Sequence, residues 1–330
     1  DGIDVERVDR YVTLDDSHHV TIRRCGFRAH NNPIGWPTGI LFKNNSHHNV
    51  LADCDVGRVG YSTADDDKGC VMNLGVWENN QDHSDHNLIV GNVLHHGGHH
   101  VLAISSNRNV VRGNLFHNEN WMDCERAETR RLCGNRNIIF EYEAGNVAWN
   151  VIEDNWLERS GLPPDQNTSA GMSVRTPHNI VRRNVFVNND GPGLDISTLT
   201  GLWDARDNHV YHNLMVHNGY TALPDVEHWK QAGLLVAHHG QGAQIVDLAI
   251  KNNVLFDNKA HGMMFYYVDR EAQEVQGNWD EAGDPGLRQT PAAWAGAGGR
   301  PDIGRHAPRE DSPCVDGGVF LTTALGDGAG

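Results

Sequence analysis

Two octets of the chain read almost alike: Asn109-Val110-Val111-Arg112-Gly113-Asn114-Leu115-Phe116 and Asn179-Ile180-Val181-Arg182-Arg183-Asn184-Val185-Phe186. Each runs from a polar residue through a short apolar alternation to an Asn and two more apolar residues. The pattern returns as His19-Val20-Thr21-Ile22-Arg23-Arg24-Cys25-Gly26-Phe27, as Asn49-Val50-Leu51-Ala52-Asp53-Cys54-Asp55-Val56 and as Asn87-Leu88-Ile89-Val90-Gly91-Asn92-Val93-Leu94. It appears again as His209-Val210-Tyr211-His212-Asn213-Leu214-Met215, with further copies ending at Asn155-Trp156-Leu157 and Asn253-Val254-Leu255. With anchors at 25, 54, 92, 114, 155, 184, 213 and 253, the spacings are 29, 38, 22, 41, 29, 29 and 40. A unit that recurs on this scale marks a stacked architecture. The spacing of 22 is the bare unit, and the longer ones are the same unit with loops inserted.

Between anchors lies a second strand signal, a Gly followed by alternating residues: Gly39-Ile40-Leu41-Phe42-Lys43, Gly171-Met172-Ser173-Val174-Arg175, Gly193-Leu194-Asp195-Ile196-Ser197 and Gly262-Met263-Met264-Phe265-Tyr266. Alternation with period two over about five residues predicts half-buried strands, and helical periodicity is absent over most of the chain. Short strands repeating every turn, each pairing with its copy about 4.8 Å away, make a parallel β-solenoid. Equivalent positions then stack in columns. Val, Leu and Ile form the inner ones. Asn92, Asn114, Asn155, Asn184, Asn213 and Asn253 are predicted to form an amide ladder, each side chain bonding to the next. Gly and Asn are expected at the tight corners, where positive φ is needed.

Composition agrees. Of 330 residues, 32 are Asn, 36 Gly and 21 His, while only 7% are aromatic and 38% apolar. The net charge of −16 argues against a nucleic-acid groove, which needs a basic face, and against anionic lipid. No apolar run of about 18 residues is present, so no membrane insertion is expected. Six Cys are too few for a disulfide scaffold. Cys25, Cys54 and Cys70 fall at core-like positions, and the spacing of Cys124 and Cys133 suits either a local bridge or two free thiols. The start at Asp1 reads as a mature form or a fragment. Residues 1–280 are expected to form the solenoid domain, and 281–330, rich in Gly, Pro and Ala, an irregular C-terminal wrap. Leu321–Gly330 reads as a linker, so a further C-terminal domain is expected as a partner, with self-association as the alternative.

These repeats resemble the right-handed parallel β-helix proteins of the pectin-lyase-like superfamily over about residues 10–280. The resemblance implies an all-β, right-handed parallel β-helix of about eight to nine coils with loop insertions, secreted or at the cell surface. Ser312-Pro313-Cys314-Val315-Asp316-Gly317-Gly318 is similar to the closing segment of secreted bacterial members. Function varies across the superfamily, which holds polysaccharide lyases, glycosidases, epimerases, phage tailspikes and non-catalytic surface proteins.

Candidate chemistry follows from aligning the outward positions of the Gly-led strands. One column reads Leu41, Val71, Ala103, Ile139, Ser173, Asp195, Leu235 and Met264; the next reads Lys43, Asn73, Ser105, Glu141, Arg175, Ser197, Ala237 and Tyr266; a third holds Asn107, Glu143, Pro177 and His239. Ionisable groups therefore gather on the middle coils. Glu141, Arg175 and Asp195 are the catalytic candidates; Glu143, Trp121, Ser173, His238 and His239 are the substrate-binding ones. Carboxylates beside a guanidinium on a rigid sheet serve acid–base work or a solvated salt-bridge face. Ser173-Val174-Arg175, with His178-Asn179 and Asn184, is similar to the strand carrying the catalytic arginine of alginate and chondroitin lyases. Those enzymes place a lysine one coil earlier, where this chain has Phe140-Glu141-Tyr142-Glu143-Ala144-Gly145-Asn146. Glycoside hydrolysis would use Glu141 and Asp195. The paired-Asp signature of polygalacturonases and the Asp-Pro-His signature of alginate epimerases are absent.

Insertions near 57–69, 75–85, 119–136, 159–169, 199–206 and 218–231 carry Trp77, Glu78, Trp121, Asp123, Glu125, Trp203, His228 and Trp229, placed either to wall a groove or to cover their own loops. His95-His96-Gly97-Gly98-His99-His100 marks a corner with His117 beneath His95. Neighbouring imidazoles suit zinc or copper. However, His18, His48, His86 and His178 recur at what reads as one corner position, which makes His an ordinary corner residue. Asp65-Asp66-Asp67 and the segment Glu78 to Asp85 suit calcium or a solvated loop. The expected function is action on an extracellular polysaccharide, an acidic glycan, by a lyase or glycoside hydrolase, with calcium as the candidate cofactor. The alternative is a non-catalytic cell-surface or fibre-forming solenoid that binds glycans or self-associates.

Overall fold

A computed structural model describes residues 4–6, 11–30, 38–59, 61–63, 66–76, 82–119, 136–140, 147–161, 169–198, 204–220, 227–239, 243–280 and 285. The chain winds as a parallel β-helix. Its described strands form three long parallel sheets, one of ten strands and two of nine, and a two-stranded antiparallel hairpin. The hairpin pairs Tyr61–Thr63 with Asp66–Lys68 inside the first long insertion. The bare unit of 22 residues separates the register partners Val93 and Leu115 and, on another sheet, Ser173 and Asp195. Between other windings the extra residues leave the helix as loops.

The core is a set of stacked apolar columns. Along the ten-stranded sheet Phe27, Val56, Leu94, Phe116, Leu157, Phe186, Met215 and Leu255 succeed one another in register, and all are buried. Along the nine-stranded sheet of three-residue strands the inward column is Leu51, Ile89, Val111, Ile152, Val181, Val210 and Ile250. Each full burial of such a side chain is worth about 1.5–3 kcal/mol before ordering costs. Cys25, Cys54 and Cys70 are buried, as expected of small core residues.

The predicted amide ladder is present. Each ladder Asn donates its backbone N–H to the Oδ1 of the next: Asn92 to Asn114 at 2.8 Å, Asn114 to Asn155 at 2.9 Å, Asn155 to Asn184 and Asn184 to Asn213 at 3.0 Å, and Asn213 to Asn253 at 2.9 Å. Each Nδ2 also donates to a carbonyl of the previous winding, as Asn184 does to Ile152 O at 2.9 Å. The ladder is one of three among the described residues. A second runs Asn49, Asn87, Asn109, Asn150, Asn179, Asn208, and a third runs Asn189, Asn218, Asn258. Corner backbone that no sheet can satisfy is thus paired internally.

Three readings of the corners and columns are corrected. First, the positive-φ residue is the one before the ladder Asn. It is Gly91, Gly113, Asp154, Arg183, His212, Asn252 and Gly277 before Asn, and Arg24 and Asp53 before Cys25 and Cys54 at the same position, with φ between 53° and 67°. The expectation of Gly and Asn holds at Gly91, Gly113, Gly277 and Asn252, while Arg24, Asp53, Asp154, Arg183 and His212 accept the left-handed backbone as well. Second, His19, not His18, shares the position of His48, His86 and His178; His18 stacks on His47 one column away, centroids 5.2 Å apart. Third, Asn73, not Val71, stands over Leu41 and under Ala103. Val71 and Met72 both enter the core, as do Val101 and Leu102. Two consecutive inward residues break the alternation and shift the outward count.

The β-helix strands run to Trp279–Asp280. Apart from Pro285, the C-terminal wrap and linker lie outside the described residues, as do Cys124 and Cys133.

Candidate functional site

The outer face of the sheet that contains Ala170–Val174, Leu194–Thr198 and Ala232–His238 carries a connected polar group on the middle windings. Register places Ile139, Ser173, Asp195, Leu235 and Met264 in one column. A chain of bonds crosses it. Arg136 donates from Nε to Ser173 Oγ at 2.8 Å, Ser173 donates to Asp195 Oδ2 at 3.2 Å, and Ser197 donates to the same oxygen at 3.1 Å. Arg136, Ser173, Arg175 and Ser197 are buried, while Asp195 is half-buried with its Oδ1 unpaired among the described residues. Arg175 follows its strand two residues after Ser173, on the same face.

His239 lies one winding on from Ser197, held by its backbone N–H to Thr198 O at 3.3 Å. Burial pulls its pKa below the ordinary histidine value; Lys230 and Arg175 add to this, and Asp195 opposes it. His99, half-buried, and His100, buried, lie near the two arginines. Burial, then Arg136 and Arg175, press His99 down to about 3, and His100 shifts the same way.

Beside this group lies an aromatic step. Trp229, in the short 3-10 turn His228–Lys230, stacks on Tyr266, with centroids 4.3 Å apart and planes 11° apart. His239 flanks both rings at 5.3 Å and 6.2 Å. Tyr267 packs on Tyr266 at 4.3 Å and is itself 78% exposed. Lys230 Nζ sits 4.7 Å over the Trp229 ring and pairs with Glu227 at 2.7 Å.

Of the sequence candidates, Ser173, Arg175, Asp195 and His239 gather on this face. His238 turns away, its Nε2 against Ala243 O at 2.7 Å, and serves to tie down a loop. Glu141, Glu143 and Trp121 lie outside the described residues, as do Trp77 and Trp203. Sequence reasoning missed Arg136, because strict alternation counted back from Ile139 turns it towards the core. The double inward step of the neighbouring strands was the signal needed. Tyr266 was placed in a column, but its stacking on Trp229 joins residues from a turn and a strand of successive windings.

Calcium takes six to eight oxygen ligands. On this face the described residues offer one carboxylate, two hydroxyls and two guanidinium groups, a set that does not fit it. In the segment Glu78 to Asp85, Asp82 is already filled by the backbone N–H groups of Asn44, Asn45, Val76 and Ser84 and by the Ser84 hydroxyl. Asp85 accepts from Asn107 N at 2.8 Å.

Residues 79–278 match the family described as right handed beta helix region. The chain belongs to that family. The handedness of the β-helix follows from it. A comparison with curated proteins finds no match in sequence. Among solved structures, the β-helix is similar to the Dettilon tailspike protein (gp208), with TM-score 0.48, 14% identity, and coverage of 84% of this chain and 51% of that one. It is similar to the tailspike protein of E. coli bacteriophage HK620 in complex with pentasaccharide, with TM-score 0.44, 8% identity, and coverage of 83% and 54%. It is also similar to pectate lyase Pel9A, with TM-score 0.44, 11% identity, and coverage of 89% and 80%. The chain spans about half the length of the two tailspikes. No helix among the described residues is long and apolar enough to cross a membrane.

Proposed function

We propose that this β-helix is a secreted or cell-surface protein that binds an acidic polysaccharide across the Ser173–Tyr266 face and cleaves it by elimination. The observation that carries this reading is the aromatic step of Trp229 and Tyr266 set beside His239, Asp195 and Arg175. Flat aromatic rings stack on sugar faces, and guanidinium groups answer uronic carboxylates.

In this reading Arg175 offsets the sugar carboxylate, which makes the C5 proton more acidic. His239, kept neutral by burial, takes that proton. The electron pair forms the C4–C5 double bond, the C4–O bond breaks, and the Tyr266 hydroxyl returns a proton to the departing oxygen. Asp195 favours the imidazolium that forms. Arg136 and Ser173 act as positioning residues, fixing Asp195 from below. Hydrolysis would need two carboxylates about 5–9.5 Å apart; its pair is Glu141 with Asp195.

The test is a panel of uronic and neutral polysaccharides, with and without added calcium. Absorbance near 235 nm from unsaturated ends supports elimination. New reducing ends without that absorbance support hydrolysis. Binding without turnover across the panel, unchanged in Arg175→Ala, overturns the catalytic reading and leaves a glycan-binding solenoid.

A further inference from the structure

On the ten-stranded sheet, away from the face just described, His95 and His96 of one winding meet His117 of the next. We propose that these three imidazoles form a binding site for a divalent transition-metal ion of the zinc class, which ties the two windings together. Each residue offers one ring nitrogen, and the three lie within 4.8 Å of one another. The rings are arranged about a common point. His95 and His117 are parallel, 3° apart with centroids at 5.0 Å, while His96 stands nearly perpendicular to both, at 85° and 83°. The Nδ1 atoms of His95 and His96 face each other directly.

Two carboxylates orient the rings from outside, as is usual for imidazoles that ligate metal. Asp55 Oδ1 contacts His95 Nε2 at 3.0 Å. Glu119 Oε2 contacts His117 Nδ1 at 2.6 Å, and its Oε1 stands 3.6 Å from His96 Nε2. Glu119 is thus placed either to hold the rings or to complete a four-coordinate set of three nitrogens and an oxygen. The two carboxylates also pair with basic groups beside the cluster, Asp55 with Arg28 and Glu119 with Arg159.

The backbone makes room for the arrangement. Gly57 is the register partner of His95 one winding back, and a Cβ there would lie 2.3 Å from the His95 ring. A residue with any side chain at 57 would push His95 out of the cluster. The feature that makes His an ordinary corner residue elsewhere does not apply here, since the His19, His48, His86 and His178 column stands at a different corner. Among the described residues no other group of three or more His, Cys, Asp or Glu side chains converges in this way.

The experiment uses the whole chain without a polyhistidine tag, stripped of metal and titrated with Zn²⁺ by calorimetry. Co²⁺ serves as the spectroscopic probe, because tetrahedral cobalt gives intense visible bands. One equivalent is expected to bind. His95→Gln and His117→Gln, which keep bulk and polarity, should each weaken binding about a hundredfold, and Glu119→Gln about tenfold. The double variant His47→Ala/His48→Ala should bind as the unaltered chain does. Circular dichroism confirms that each variant is folded. No stoichiometric binding, or equal binding in the His95→Gln/His117→Gln double variant, overturns the proposal.

Discussion

Ser173 and Asp195 occupy the same place on successive windings, and the hydroxyl of the first donates to the carboxylate of the second at 3.2 Å. The contact exists because nothing is inserted between them, so the bare unit of the repeat brings one directly over the other. Arg136 holds Ser173 from the other side, so the carboxylate stands at the end of a fixed relay. Asp195→Asn keeps the shape and removes the charge. On the proposed function it should lower turnover about a hundredfold or more with little change in KM, read as the initial rate of unsaturated-end formation.

Trp229 should act on binding instead. Trp229→Ala removes the half-buried stacking partner of Tyr266, and glycan affinity should fall about tenfold, the equivalent of about 1.4 kcal/mol. KM should rise more than kcat falls. A selective loss of kcat at unchanged KM would remove the stacking role.

The ladders should govern stability. Asn184→Ala leaves the backbone N–H of Asn155 without its acceptor and the Ile152 carbonyl without its donor. Orphaned buried groups cost about 1–3 kcal/mol each, so the loss in urea denaturation should be about 2–5 kcal/mol. His212→Gly, at the neighbouring left-handed position with φ of 57°, should change stability by less than about 1 kcal/mol, since Gly removes strain there.

Glu153 is a charged keystone. Its side chain is 1% exposed and bonds Arg112 Nε at 2.6 Å, Arg182 Nε at 2.6 Å and Arg183 Nη2 at 2.8 Å. Burial pushes its pKa up, but bonds to Arg182 and Arg112 outweigh it, and the net shift is below the ordinary value of 4.5. Its contribution is therefore complete above pH 4.5 and is lost as pH falls through the lower folded value. Glu153→Gln should cost about 3–5 kcal/mol at neutral pH and flatten that acid limb. Denaturation midpoints measured across pH 3–7 check both.

Asp55 gives a second, smaller acid window. Its bond to His95 is the largest cause, and Arg28 adds to it, holding the carboxyl at about 2 against an ordinary 3.8. Asp55→Asn should remove stability that is complete above pH 3.8 and is lost as pH falls through about 2, seen in the same titration.

The sequence by itself determined the winding. Asn92, Asn114, Asn155, Asn184, Asn213 and Asn253 recur because a parallel stack repeats one backbone environment at every turn, and a repeated environment selects repeated residues. Local chemistry is enough to show this, since each strand is short and pairs with its own copy. The site was legible only in part, for the opposite reason. Ser173 and Asp195 could be aligned by counting, yet Arg136 could not, because two adjacent residues face inwards at the head of its sheet and alternation miscounts there. The stacking of Trp229 on Tyr266 depends on how an inserted loop returns to the helix, whereas His117 lies over His95 because the bare unit of the repeat puts it there. No periodicity in the chain encodes that return; it is set by the packing of neighbouring windings, which only the tertiary structure decided.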